Sequence, residues 1–184
     1  MSTIVDPGLP LQLVGMGQLS VGTRDEQLQA LLGSCIGIGL LWKKGHCCGL
    51  AHCLLPEAPH AGSAAGAPDA CALTARYVSQ AVPALLRLMG ARQADYADIE
   101  VVLAGGASMF GPAHVHGRLQ VGRQNAQAAQ KYLAQCGLRV SFCALGGNHG
   151  RQLLIDCARH SYAVVDVVAP AGLTQRKESA YGHA

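Results

Sequence analysis

Aromatic side chains are scarce in this chain: one Trp, five Tyr and two Phe, 4% of 184 residues. Any core must therefore be built from Leu, Val, Ile, Ala and Met. Charge is also sparse, at 14% Asp, Glu, Lys and Arg. There is no Lys/Arg block and no basic run interleaved with aromatics, the usual footprint of a nucleic-acid interface. The formal net charge of +3 and a pI near 8.5 are mild, and would suit an acidic protein partner equally well. No apolar run approaches the roughly 20 residues that a bilayer-spanning helix needs. Met1 to Pro7 show no basic segment leading into an apolar one, so no secretion signal is read. The expectation is a cytoplasmic protein with no membrane insertion and no nucleic-acid partner.

Other absences narrow the chemistry. Eight cysteines contain no Cys-x2-Cys pair, so a finger-like metal site is not indicated. His46, Cys47, Cys48, His52 and Cys53 are dense in potential ligands but lack a second pair at suitable spacing. In a chain of this size without a secretion signal, reduced thiols are expected rather than a disulfide framework. Gly105-Gly106-Ala107-Ser108 and Gly146-Gly147-Asn148-His149-Gly150 each follow an apolar run, yet neither is a dinucleotide fingerprint or a P-loop. They read as the rim of a site, or simply as strand ends. No metal and no organic cofactor is expected.

What the chain does have is a 50% hydrophobic composition, enough for one domain with a core, and 23 glycines, which imply many turns. Residues 11–22 read as an opening strand with Leu11, Leu13 and Val14 buried. Residues 28–55 read as a hairpin, and 57–68 as a long loop rich in Ala, Gly and Pro. Apolar residues at Leu73, Tyr77, Val78, Val82, Leu85, Leu86 and Met89 follow helical spacing, with Asp69 as N-cap and Pro83 as a kink or a split. Strands are expected over Ile99–Ala104 and Val140–Leu145, and a second helix over Asn125–Cys136. A last hairpin joins Leu153–Asp156 to Tyr162–Val168. This mixed order indicates an α+β fold in a single domain, residues 1–169, followed by a flexible tail, 170–184.

The candidate chemistry lies in the hairpin. Cys35 closes Leu32-Gly33-Ser34-Cys35, and His52 sits in Ala51-His52-Cys53-Leu54-Leu55-Pro56. If Trp42-Lys43-Lys44-Gly45 forms the loop, Leu41 pairs with His46, Gly39 with Cys48, Gly37 with Leu50 and Cys35 with His52. Opposed side chains have Cβ atoms about 5 Å apart, the scale of a thiol–imidazole hydrogen bond. Ile36, Ile38 and Leu40 then form the core face, while Gly37 and Gly39 leave space on the Cys35 face. Gly33-Ser34 would turn sharply and expose amides near the sulfur, able to hold an oxyanion. Asn148 is a further candidate for contact with a substrate amide. Cys47, Cys53, Cys71, Cys136, Cys143 and Cys157 read as inert core or surface thiols.

These segments, with Ala104-Gly105-Gly106-Ala107-Ser108-Met109-Phe110, Val121-Gly122-Arg123-Gln124-Asn125 and Gly146-Gly147-Asn148, occur in the order found in the CheD family. The chain resembles that family, the chemoreceptor glutamine deamidases of bacterial chemotaxis, over roughly residues 12–168. The resemblance implies an α/β/β layered sandwich related to the cytotoxic necrotizing factor toxins. It implies hydrolysis of selected glutamines on methyl-accepting chemotaxis receptors to glutamate, with Cys35 as nucleophile and His52 as base. It also implies, where one exists, a CheC-type phosphatase as partner. The family usually keeps a Thr five or six residues before the nucleophile, where this chain has Ala30 and Gln29. The resemblance then leaves Gln29 or a backbone carbonyl to orient His52, and Gly33, Ser34, Gln29 and Asn148 as the substrate-contacting set. A catalytically weakened binding module that regulates a phosphatase or receptors is the alternative reading.

Overall fold

The structure is a computed structural model that describes residues 8–59, 73–108 and 121–167. Two sheets and two helices form three layers. Strands β1 (Leu11–Leu13), β3 (Gln27–Leu32), β8 (Gly150–Asp156) and β9 (Ser161–Val167) make one sheet in that order. The other sheet runs β2 (Leu19–Gly22), β5 (Cys47–Cys53), β4 (Ile36–Trp42), β6 (Ile99–Gly105), β7 (Val140–Leu145). Helices α1 (Val78–Leu88) and α2 (Val121–Gln135) cover the outer face of the five-stranded sheet. The α+β class and the α/β/β layering both follow from this arrangement.

Strand β4 shows why the layers form where they do. It is central in its sheet and buried on both faces up to Trp42. Ile36, Ile38 and Leu40 pack with Val78, Val82, Leu85 and Leu133 of the helices. On the opposite face, a Cβ at Gly37 would come 2.7 Å from Leu32 Cδ1, and one at Gly39 would come 2.8 Å from Ile155 Cδ1. These glycines let the second sheet dock closely, so the space expected beside them is filled by the core between the sheets. Leu28, Ala30, Leu32, Leu50, Val102, Leu153 and Ile155 complete that core.

The β4–β5 register differs from the expectation. Trp42 pairs with Cys47, Leu41 with Cys48, Gly37 with His52 and Ile36 with Cys53, so the loop is Lys43–His46. His46 takes the left-handed position at φ 54°, one residue later than the Gly45 assigned to it. Gly45 instead lies under the Trp42 indole, which leaves no room for a Cβ. The displacement is two residues, and side-chain direction alternates with period two. The bend that precedes β4 packs Cys35 against the core between the sheets, the side to which alternation from Cys48 and Leu50 also turns His52.

The opening segment is two strands in different sheets, not one. The chain changes sheet through Gly15–Gln18, with Gly17 at φ 77°. Leu11 and Leu13 are 40% and 65% exposed, while Val14 is buried, so only the last of the three expected core residues is one. Likewise, 28–55 is not a single hairpin. β3 belongs to the four-stranded sheet, and the chain crosses to β4 through Gly33–Cys35.

Helix α1 starts at Val78 with Tyr77 as N-cap. Residues 73–77 are not helical, because Arg76 O accepts from the amides of Leu54 and Leu55 and Ala75 N donates to Gly17 O. The expected N-cap, Asp69, lies outside the described residues, as does most of the 57–68 loop. The helix runs unbroken through Pro83, whose ring faces solvent, so it is not split. Helix α2 begins four residues before Asn125 and ends ahead of Gly137, at φ 76°. The tail from 170 is also outside the described residues. No helix among them is long and apolar enough to cross a membrane.

Candidate active site

Cys35 sits in the bend that carries the chain from one sheet to the other. Three consecutive carbonyls of this bend are caught by donors. Gly33 O accepts from Ala107 N at 2.8 Å, and Cys35 O accepts from Gly106 N at 2.8 Å. Ser34 O accepts from the Asn125 side chain, Nδ2, at 3.1 Å. The close approach of the two loops needs glycine. Gly105 has φ 105°, and a Cβ there would overlap the Cys35 carbonyl oxygen. Among the described residues, the amides of Ser34 and Cys35 donate to no acceptor. The thiol is half-buried, and burial pushes it above its ordinary value of 9.0.

His52 lies on β5 and points between the sheets, as Cys48 and Leu50 do. It is 4% exposed. Its main chain is held by one neighbouring segment, with Gly17 N donating to His52 O at 2.8 Å and His52 N donating to Gln18 O at 2.9 Å. Nδ1 lies 3.0 Å from Val14 O. A carbonyl oxygen only accepts, so Nδ1 carries the proton and the Nε2 lone pair is free. Nε2 is buried and has no hydrogen-bond partner. Burial lowers the imidazole below 6.5, and the Val14 carbonyl partly opposes that shift. Near neutral pH the resting pair is thus a thiol and a neutral imidazole that accepts a proton at Nε2. The expected thiol–imidazole hydrogen bond is not formed, since Nε2 has no partner among the described residues.

The other sequence-nominated residues fall in three places. Gly33 and Ser34 form the bend itself. The Gln29 side chain accepts from Gln152 Nε2 at 3.0 Å through Oε1. It lies on the outer face of its sheet, because its strand neighbours Leu28 and Ala30 face the core. Gln29 reaches the site through its backbone, since its carbonyl accepts from Val14 N at 2.7 Å. Asn148 is exposed in the Gly146–His149 turn. That turn is near the site: Gly147 O accepts from Ser108 N at 2.8 Å, and Arg151 Nη1 donates to Gly146 O at 2.6 Å.

Asn125, in the Val121–Asn125 motif and at the expected start of the second helix, has no role in the sequence-based site. It is fully buried on α2, and its Nδ2 also donates to Leu54 O at 2.8 Å. The signal was a polar residue between small ones on a helix face whose other members, Gly122, Ala128 and Ala129, are buried.

The histidine- and cysteine-rich stretch does not converge on a metal. No group of three or more His, Cys, Asp or Glu side chains among the described residues is arranged to hold one. His46 Nδ1 is 2.9 Å from Arg24 Nη2, and Cys48 lies with Cys157 in the core between the sheets.

A family model described as CheD chemotactic sensory transduction matches residues 54–165. The chain belongs to the CheD family. The span of the CheD model begins beyond Cys35 and His52, so their arrangement is read from the geometry above. Among curated CheD relatives, "Probable chemoreceptor glutamine deamidase CheD 2" of Ruegeria sp. is 35% identical over 162 residues, covering 84% of this chain and 90% of the relative. "Probable chemoreceptor glutamine deamidase CheD" of Bdellovibrio bacteriovorus is 35% identical over 144 residues, covering 77% and 86%. The protein of the same name from Methanococcus maripaludis is 36% identical over 146 residues, covering 78% and 86%. A solved Neisseria meningitidis protein of the DUF152 family aligns with a TM-score of 0.41 at 12% identity. That alignment covers 77% of this chain and 64% of the other, just under two thirds of its length.

Proposed function

We propose that this CheD-family chain is a protein-glutamine deamidase, which hydrolyses selected chemoreceptor glutamines to glutamate in the cytoplasm during bacterial chemotaxis. The observation that carries the reading is the state of His52. Val14 O holds the proton on Nδ1, and Nε2 is left without a partner on the side of the sheet against which Cys35 packs.

The raised thiol and lowered imidazole disfavour a standing ion pair. Proton transfer therefore accompanies attack. The Cys35 Sγ–H proton passes to His52 Nε2 while sulfur bonds to the glutamine Cδ and the carboxamide oxygen takes up negative charge. The amides of Ser34 and Cys35 receive that oxyanion. Collapse breaks the C–N bond, and Nε2–H protonates the departing nitrogen, which leaves as ammonia. Water then attacks the thioester and gives its proton to Nε2. Sulfur leaves, recovers a proton, and glutamate is released. No metal or organic cofactor takes part. Gly33, the 146–149 turn with Asn148, and Gly106–Ser108 form the rim that a receptor segment meets.

The test is incubation with receptor cytoplasmic domains, followed by peptide mass analysis. Each converted glutamine gains about 1 Da, the exchange of NH2 for OH in acyl transfer. Cys35→Ala removes the gain.

The second reading, a binding module acting on receptors or a CheC-type phosphatase, draws support from Gln29. Its side chain is engaged by Gln152, so no side chain at that position orients His52. Binding of either partner with no mass change under any condition would favour this reading.

A further inference from the structure

We infer that Asn125 is a positioning residue that aims the oxyanion-binding amides beside Cys35, an inference that rests on the acyl-transfer reading of this site. In a trans peptide the C=O and the following N–H point in opposite directions. Ser34 O is drawn toward α2 by Asn125 Nδ2, so the Cys35 amide points away from the helix. Gly33 O is drawn by Ala107 N, which turns the Ser34 amide in the same sense. Neither amide has an acceptor among the described residues. Asn125 is the side-chain member of this set, and the others are backbone groups of the Gly105–Ala107 turn.

Its second bond widens the role. Both Nδ2 hydrogens are used, one on Ser34 O and one on Leu54 O, two residues beyond His52. One amide group thus joins the segment that carries the nucleophile to the residue that follows the strand of the base. The Oδ1 atom is buried without a partner, a position that costs stability. Flipping the amide would set Oδ1 against two carbonyl oxygens, so the orientation is determined by its donors. Gly122 brings the helix into range, because a Cβ there would lie 2.5 Å from Gly106 O.

The test compares two reactions of Cys35 in Asn125→Ala and Asn125→Asp. The second variant keeps the shape and loses both donors. Iodoacetamide alkylates the sulfur by displacing iodide and forms no oxyanion. p-Nitrophenyl acetate acylates it through a tetrahedral oxyanion, with p-nitrophenolate leaving; in both reactions the thiol proton passes to His52 or water. Peptide mass analysis reads Cys35, and the exposed Cys143 serves as internal reference. Loss of a preorganised oxyanion donor costs on the order of a hundredfold in acyl transfer. The acylation-to-alkylation ratio at Cys35 should fall at least tenfold, with alkylation within about twofold and the Cys143 ratio unchanged; in deamidation, kcat should fall while KM stays level. An unchanged ratio overturns the inference. So does a parallel loss of both reactions, or failure of both variants to fold, since either assigns Asn125 to structure alone. If wild type converts no receptor glutamine yet the ratio falls, the deamidase reading fails and the positioning role stands.

Discussion

Nδ1 of His52 lies 3.0 Å from the carbonyl oxygen of Val14, a backbone group at the end of β1 in the opposite sheet. A backbone acceptor cannot be removed by changing a side chain, and it cannot ionise. It fixes the tautomer of the neutral ring wherever the fold persists. Val14 is itself held by Gln29 O through its amide, so the orienting unit of this site is a main-chain relay.

The first consequence concerns pH. Burial holds His52 below 6.5, and a general base must be deprotonated to act. The acid limb of kcat/KM for deamidation should have its midpoint below pH 6.5, and activity should be level from there toward neutrality. His52→Ala should cost on the order of a hundredfold or more. A pH–rate series places the midpoint, and one above 6.5 would contradict a desolvated neutral base.

Gln29→Thr should leave deamidation within about twofold of wild type. A residue at this position points to the outer face of the four-stranded sheet, and its backbone carbonyl, which Val14 needs, is retained. Steady-state kinetics on receptor fragments checks this. A tenfold gain would mean that a hydroxyl at this position reaches His52 after all.

Gly105→Ala should be far more damaging than Gly90→Ala. Both glycines have positive φ, 105° and 69°, so each substitution strains the backbone by roughly 1–3 kcal/mol. Nothing lies within 4 Å of a Cβ at Gly90, whereas at Gly105 it would overlap the Cys35 carbonyl. Overpacking adds about 1–3 kcal/mol, and here it displaces the nucleophile bend as well. Urea unfolding of both variants, with Cys35 alkylation rates, separates the two contributions. Equal midpoints would show that the Cys35 bend yields without cost.

Stability should peak between pH 6.5 and 9.0 with respect to the buried thiols and His52. Burial raises the thiols of Cys35, Cys47 and Cys53 above 9.0 in the folded chain. The unfolded chain thus loses protons first above pH 9, and the stability these thiols confer is lost as pH rises further. His52 is lowered in the folded state, so below 6.5 the unfolded chain binds the extra proton and stability falls with pH. Urea midpoints across this range test both limbs. A midpoint that rises above pH 9 would show that these thiols are not desolvated.

Much of this protein was determined by local pattern. Ile36, Ile38 and Leu40 on one face of β4 announced a packed strand, and the helix faces of Val78–Leu86 announced their own burial. Period-two alternation along β5 sets His52 on the face of Cys48 and Leu50, and that face is kept with the loop at Lys43–His46, because the shift is two residues. What only tertiary structure decided depends on groups far apart in the chain. The opening segment divides between the two sheets at Gly15–Gln18, which no composition signals. The partner of His52 is a carbonyl, a group every residue carries, so no side-chain motif could name Val14. Gly37 and Gly39 looked like open space, but the side chains that fill it come from β3 and β8. Asn125 joins carbonyls 91 and 71 positions away in the sequence, and only the packing of α2 on the sheet brings its donors to both.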